Sequence, residues 1–133
     1  MNNDISPKIK ILLAEDDASM RRFLEITLQR AGYEVASAED GLAAMQIALS
    51  DNFDAVVADA MMPNLTGHDL CRILSQNPNY KSVPMIILSG LEQEISANIE
   101  ESCADTYLVK GGDLKETLLE NLAKFVTQKT KIG

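Results

Sequence analysis

Five short apolar runs, each closing on polar or charged residues and each followed by helical spacing, organise this chain. Runs that are apolar at nearly every position fit parallel strands covered on both faces. Parallel neighbours need a crossover, which is usually a helix. The runs are Ile9 to Ala14, Tyr33 to Ser37, Phe53 to Ala58, Val83 to Leu88 and Asp105 to Lys110. Between the first two, Met20, Phe23, Leu24, Thr27, Leu28 and Ala31 recur at helical spacing, and Gly32 stands where a helix would stop. Leu42, Met45, Ala48 and Leu49 share one face of a second helix. A third follows the Pro63-Asn64 loop and carries Leu70, Ile73 and Leu74. Ile95, Ile99 and Cys103 form a narrow stripe, which predicts an exposed fourth helix. Asp113 and Glu116 have capping-box spacing before a fifth helix with Leu114, Leu118, Leu119, Leu122, Phe125 and Val126. The pattern is (βα) five times over, an α/β doubly wound sandwich with right-handed crossovers. Residues 8–129 form the single domain, and 1–7 and 130–133 read as tails.

Composition narrows the function. Of 133 residues, 46% are hydrophobic and 24% charged, so a cored globule is expected rather than a disordered chain. No apolar stretch approaches the roughly 20 residues that span a bilayer, and the first residues lack the pattern of a secretory signal. Twelve Lys and Arg stand against 20 Asp and Glu, a net charge of −8. That balance opposes direct nucleic-acid binding and suits divalent cations. Cys71, Cys103 and the single His68 are too few and too scattered for zinc. The two thiols read as small buried or half-buried residues of a reducing cytoplasm.

In doubly wound sheets, ligands bind beyond the carboxyl ends of the strands. The first strand ends in Glu15-Asp16-Asp17, the third in Asp59, the fourth in Ser89-Gly90 and the fifth in Lys110-Gly111. Carboxylates gathered there repel one another. Mg²⁺ relieves this, because it takes oxygen ligands from one or two carboxylates plus phosphate. Another carboxylate can then act as a nucleophile towards phosphorus. The cation and a lysine neutralise the transferring oxygens, and a hydroxyl can hydrogen-bond one of them.

The motifs I-L-L-A-E-D-D (11–17), V-V-A-D-A-M-M-P-N-L-T-G (56–67), I-I-L-S-G (86–90) and D-T-Y-L-V-K (105–110) resemble the receiver domains of two-component response regulators. The likeness covers residues 8–129. It implies a five-stranded parallel sheet in the order 2-1-3-4-5. It also implies that Asp59 takes a phosphoryl group as a 4-aspartylphosphate from the phosphohistidine of a sensor kinase or phosphotransfer protein. By the same likeness, Glu15 and Asp16 hold Mg²⁺, with Asp16 the more direct ligand. Asp59 shares the ion, and Met61 offers its backbone carbonyl. Ser89 is the switch hydroxyl, Lys110 pairs with the acceptor and then with phosphate, and Tyr107 is an aromatic switch that moves inward behind Ser89. The implied output is a protein partner, or a C-terminal output domain missing from the chain, with no direct nucleic-acid or membrane contact.

Two positions depart from the family pattern. Gly111-Gly112 replaces the usual cis-proline after the lysine, and Cys103 stands where glycine commonly ends the fourth helix. Asp17 reads as a helix N-cap, which leaves the preceding pair for metal, and His68 as a surface helix residue.

Rival functions are weaker. A haloacid-dehalogenase-type phosphotransferase needs a second aspartate two residues after the nucleophile, where Met61 stands. A flavodoxin-like module needs a first loop that cradles phosphate, and Glu15-Asp16-Asp17 repels it. A degenerate receiver that only binds proteins is supported by Gly111 alone. The domain is therefore read as a signalling phosphoacceptor, catalysing only its own phosphorylation and dephosphorylation. Glu15, Asp16, Asp59 and Lys110 carry −3 + 1 = −2 of the net charge, and the remaining −6 is spread over the surface.

Overall fold

Strands β3 (Ala55–Asp59) and β4 (Met85–Ser89) are buried at every position, as expected for the centre of a sheet covered on both faces. In the computed structural model, which describes residues 8–90 and 103–132 and side chains to residue 126, they lie in a five-stranded sheet. The other strands are β1 (Lys10–Ala14), β2 (Glu34–Ala38) and β5 (Thr106–Val109). The order is β2-β1-β3-β4-β5, and every pairing is parallel. Fold class and strand order are those expected from the sequence. The described helices are α1 (Ala18–Arg30), α2 (Gly41–Ser50), α3 (Gly67–Ser75) and α4 (Leu114–Ile132), with a 3-10 turn at Pro78–Tyr80. The helix expected around Ile95 and Ile99 lies outside the described residues. Among the described residues, no helix is long and apolar enough to cross a membrane.

Alternate strand residues feed two cores. Leu12, Val56 and Ile87 pack with Leu70 and Leu74 of α3 and Ala44 and Ala48 of α2. Ile11, Leu13, Val57, Ile86 and Leu88 pack with Leu24 and Leu28 of α1 and Leu114, Leu118 and Leu122 of α4. Each fully buried aliphatic side chain stabilises the fold by about 1.5–3 kcal/mol. Helix starts are set by side-chain caps. Asp17, Asp40 and Thr66 accept from the N–H groups of Met20, Ala43 and Asp69, and such caps contribute about 1 kcal/mol each. Gly32, at φ 98°, turns the chain out of α1 where the sequence predicts a stop.

Several faces differ from the sequence reading. On α2, Ala48 is buried and Met45 half-buried as the expected face requires, but Leu42 and Leu49 are exposed, and Gly41 and Ala44 are buried in their place. The helix starts so close to its neighbour that a Cβ on Gly41 would lie 2.2 Å from the carbonyl oxygen of Leu65. Only small residues fit beneath a helix held that close. Phe23 and Ile73 are also exposed, at 44% and 41%, while Cys71 is buried beside Leu70 and Leu74 on α3. Cys103 is exposed rather than buried or half-buried, because it precedes β5 in irregular backbone instead of facing a core.

Candidate functional site

Strand register brings the polar residues to one edge. Ala14 pairs with Ala58, Asp59 with Leu88, and Ser89 with Val109. Glu15, Asp59, Ser89 and Lys110 therefore emerge at the carboxyl ends of four adjacent strands. The ladder continues past the strands, with Ala60 N–H donating to Leu88 O (2.8 Å) and Lys110 N–H to Ser89 O (2.8 Å).

At the centre, the Lys110 ammonium lies 2.9 Å from Glu15 Oε1 and 3.0 Å from Asp59 Oδ1. Glu15, Asp59 and Ser89 are buried. Asp16 is exposed, with Glu15 on one side and the cap residue Asp17 on the other. The Asp17 N–H donates to Glu15 Oε2 at 3.1 Å. Glu15, Asp16 and Asp59 each bring a carboxylate oxygen within 4.8 Å of the others.

Burial governs the electrostatics of Glu15. Burial pushes the Glu15 carboxyl up, and the charge of Asp59 adds to it; the hydrogen bonds from Lys110 and the Asp17 N–H pull it down but leave it at about 7. Burial lowers the pKa of Lys110, but hydrogen bonds to Glu15 and Asp59 outweigh it, so the net shift is upward. The lysine stays charged and holds both carboxylates. A glutamate that keeps its proton up to near neutrality is what burial of a carboxyl produces, with the neighbouring Asp59 charge adding a smaller push. A hard, oxygen-seeking dication fits that donor set.

The other expected residues fall as follows. Met61 lies in the loop two residues beyond Asp59, with its side chain 62% exposed. Tyr107 is half-buried on β5, beside the core under α2 and α3. Lys110 reaches both carboxylates although Gly111 follows it, and no described peptide bond is cis. His68 is less exposed than a surface helix residue. It is half-buried, and its ring sits 5.7 Å from that of Tyr107 at an interplanar angle of 34°. The start of α3 brings its ring against Tyr107 on β5 while leaving it partly exposed.

Two supporting residues were not read from the sequence. Arg21 Nη1 donates to Glu15 O at 2.9 Å, tying the loop after β1 to α1. A separation of six residues gave no cue. Gly67 packs against the backbone of Asp59, since a Cβ there would lie 2.3 Å from Asp59 O. The Thr66-Gly67 pair after a loop was the available signal.

Fold and site together define a signalling domain rather than a classical enzyme. A family model described as the response regulator receiver domain matches residues 11–123, and the chain belongs to that family. It is 34% identical over 111 residues to the response regulator ArlR of Staphylococcus saprophyticus, covering 82% of this chain and 49% of that protein. It is 41% identical over 111 residues to the probable transcriptional regulator ycf27 of Porphyridium aerugineum, covering 82% of this chain and 45% of that protein. The chain spans about half the length of the curated relatives it matches. Among solved structures, the chemotaxis response regulator CheY4 of Vibrio cholerae superposes with a TM-score of 0.81 at 32% identity, covering 90% of this chain and 99% of that one. The response regulator TrrA of Thermotoga maritima, in complex with Mg²⁺-BeF, gives 0.79 at 29% identity, covering 88% and 98%.

Proposed function

We propose that residues 8–129 act as a phosphoacceptor switch in the cytoplasm, with Asp59 as the acceptor. The observation that carries this reading is the Asp59 carboxylate at the end of β3, 3.0 Å from Lys110 and clustered with Glu15 and Asp16. The donor is the phosphohistidine of a sensor kinase or of a phosphotransfer protein. An Asp59 carboxylate oxygen attacks phosphorus and forms the acyl-phosphate bond. The bond from phosphorus to the donor's imidazole nitrogen breaks, and its electron pair stays on that nitrogen as a lone pair, so that with a proton on the other ring nitrogen the histidine departs as neutral imidazole. Dephosphorylation is attack by water on the same phosphorus, returning the Asp59 carboxylate and inorganic phosphate.

Glu15, Asp16 and Asp59, with the Met61 backbone carbonyl, are the residues that would hold Mg²⁺. The ion supplies charge neutralisation at the phosphoryl oxygens. Lys110 starts on Asp59 and follows the charge onto a phosphoryl oxygen. The Ser89 hydroxyl donates to another, and Tyr107 moves inward behind it. A local change of charge thus biases a two-state element at the sheet edge. The output is a protein partner or a C-terminal domain, since the match covers only 49% and 45% of regulators such as ArlR and ycf27.

The test is incubation with Mg²⁺ and acetyl phosphate, followed by intact mass and base lability. One phosphoryl group on the wild type and none on Asp59→Asn is the expected result. Equal labelling of Asp59→Asn would move the site elsewhere. A wild type that takes no phosphoryl group would leave a protein-binding module that works without phosphorylation.

A further inference from the structure

We propose that His68 is a positioning residue that holds Tyr107 in its resting placement and so sets how readily the domain switches. The proposal rests on the phosphoacceptor reading and adds a residue to it. Its basis is a run of contacts on the α3 side of Asp59. Gly67, the first residue of α3, is pressed against the Asp59 backbone and donates its N–H to Ala60 O at 3.1 Å. Thr66 caps the same turn by accepting from Asp69 N–H at 3.1 Å. The start of α3 is thereby fixed to the strand that carries the acceptor. His68 is the next residue, and its ring meets Tyr107 at 5.7 Å centroid separation. The imidazole thus braces the Tyr107 ring from the helix, on a base anchored to Asp59 itself.

An inclined pair of flat rings at this separation is attractive beyond the area it buries. A movement that carries the Tyr107 ring away from the start of α3 has to break it. The contact therefore favours the resting state, and losing it makes switching easier. The brace links the acceptor strand to Tyr107 through the start of α3.

The experiment uses His68→Leu, which keeps about the same volume without a flat ring, and His68→Phe, which keeps a ring. Mg²⁺ with beryllofluoride is titrated into each 133-residue protein, and half-saturation is read from backbone amide NMR signals of β3 and β4. His68→Leu is expected to lower the half-saturating concentration about two- to tenfold, the size of an aromatic pair. His68→Phe is expected to stay within about twofold of wild type. Separately, urea unfolding of His68→Leu, Tyr107→Leu and the double variant is expected to be non-additive. An additive cycle overturns the proposal, as does a His68→Leu half-saturation equal to wild type. So does a His68→Phe that behaves as His68→Leu. A wild type that ignores beryllofluoride is a different failure, that of the phosphoacceptor reading. The cycle alone then decides whether His68 holds Tyr107.

Discussion

Lys110 Nζ lies 3.0 Å from Asp59 Oδ1 across the gap between two strand ends, and in the same position it lies 2.9 Å from Glu15 Oε1. One cation thus organises two buried carboxylates. Lys110→Met is expected to slow phosphorylation by acetyl phosphate about 10²-fold, the usual loss on removing one preorganised charge-stabilising donor. The rate of mass gain under saturating Mg²⁺ measures it. A rate within about threefold of wild type would remove Lys110 from the chemistry.

Glu15 makes the metal-free protein sensitive to pH. Its carboxyl, 4.5 ordinarily, is held at about 7 by burial in the folded state. Between those values the folded state binds a proton that the unfolded state has released. The stability this contributes is full below about pH 4.5 and is lost as pH rises through about 7. Glu15→Gln has no such proton to lose. Urea midpoints without divalent cation are expected to fall for wild type relative to Glu15→Gln between about pH 5 and 8. With Mg²⁺ the sign reverses, because the ion favours the carboxylate, so Mg²⁺ affinity rises with pH over the same window. Parallel midpoint curves for the two proteins would refute the assignment.

The strand ends were legible because a parallel sheet needs only apolar runs and their last residues to locate its edge. Glu15, Asp59, Ser89 and Lys110 meet for that reason. Helix faces were less legible. On α2 the large residues Leu42 and Leu49 outweigh the small ones in any apolar pattern, yet the close approach at Gly41 makes Ala44 and Ala48 the buried side. Contacts between residues distant in sequence were not legible at all. His68 precedes Tyr107 by 39 positions, and no local pattern announces that their rings meet. The caps at Asp17 and Thr66 illustrate the same contrast, since the first follows from an acid before a helix and the second is hidden in a loop.

The α2 reading can be checked by paired substitutions. Ala48 is 2% exposed and Leu49 63% exposed, one residue apart. Ala48→Leu adds volume to a packed core and is expected to cost about 1–3 kcal/mol. Leu49→Ser, on the solvent side, is expected to stay within about 0.5 kcal/mol. Urea denaturation midpoints at fixed slope separate the two. If Leu49→Ser proves the costlier change, the helix is rotated from the face described.

Gly67 supplies the sharpest test of how α3 is seated on the site. A methyl group there would meet Asp59 O at 2.3 Å and Asp59 C at 3.0 Å, both backbone atoms that cannot rotate away. Either α3 or the end of β3 must shift, and the shift carries the Asp59 carboxylate with it. Gly67→Ala is therefore expected to cost about 1–3 kcal/mol as overpacking and to slow phosphoryl uptake at least tenfold, since small displacements of a reacting group carry rate losses of that order or more. Gly112→Ala is the control, because a Cβ there meets nothing within 4 Å. It is expected to leave both the urea midpoint and the acetyl phosphate rate near wild type. Should Gly67→Ala unfold with the wild-type midpoint and take up phosphate at the wild-type rate, α3 does not press on Asp59 in solution.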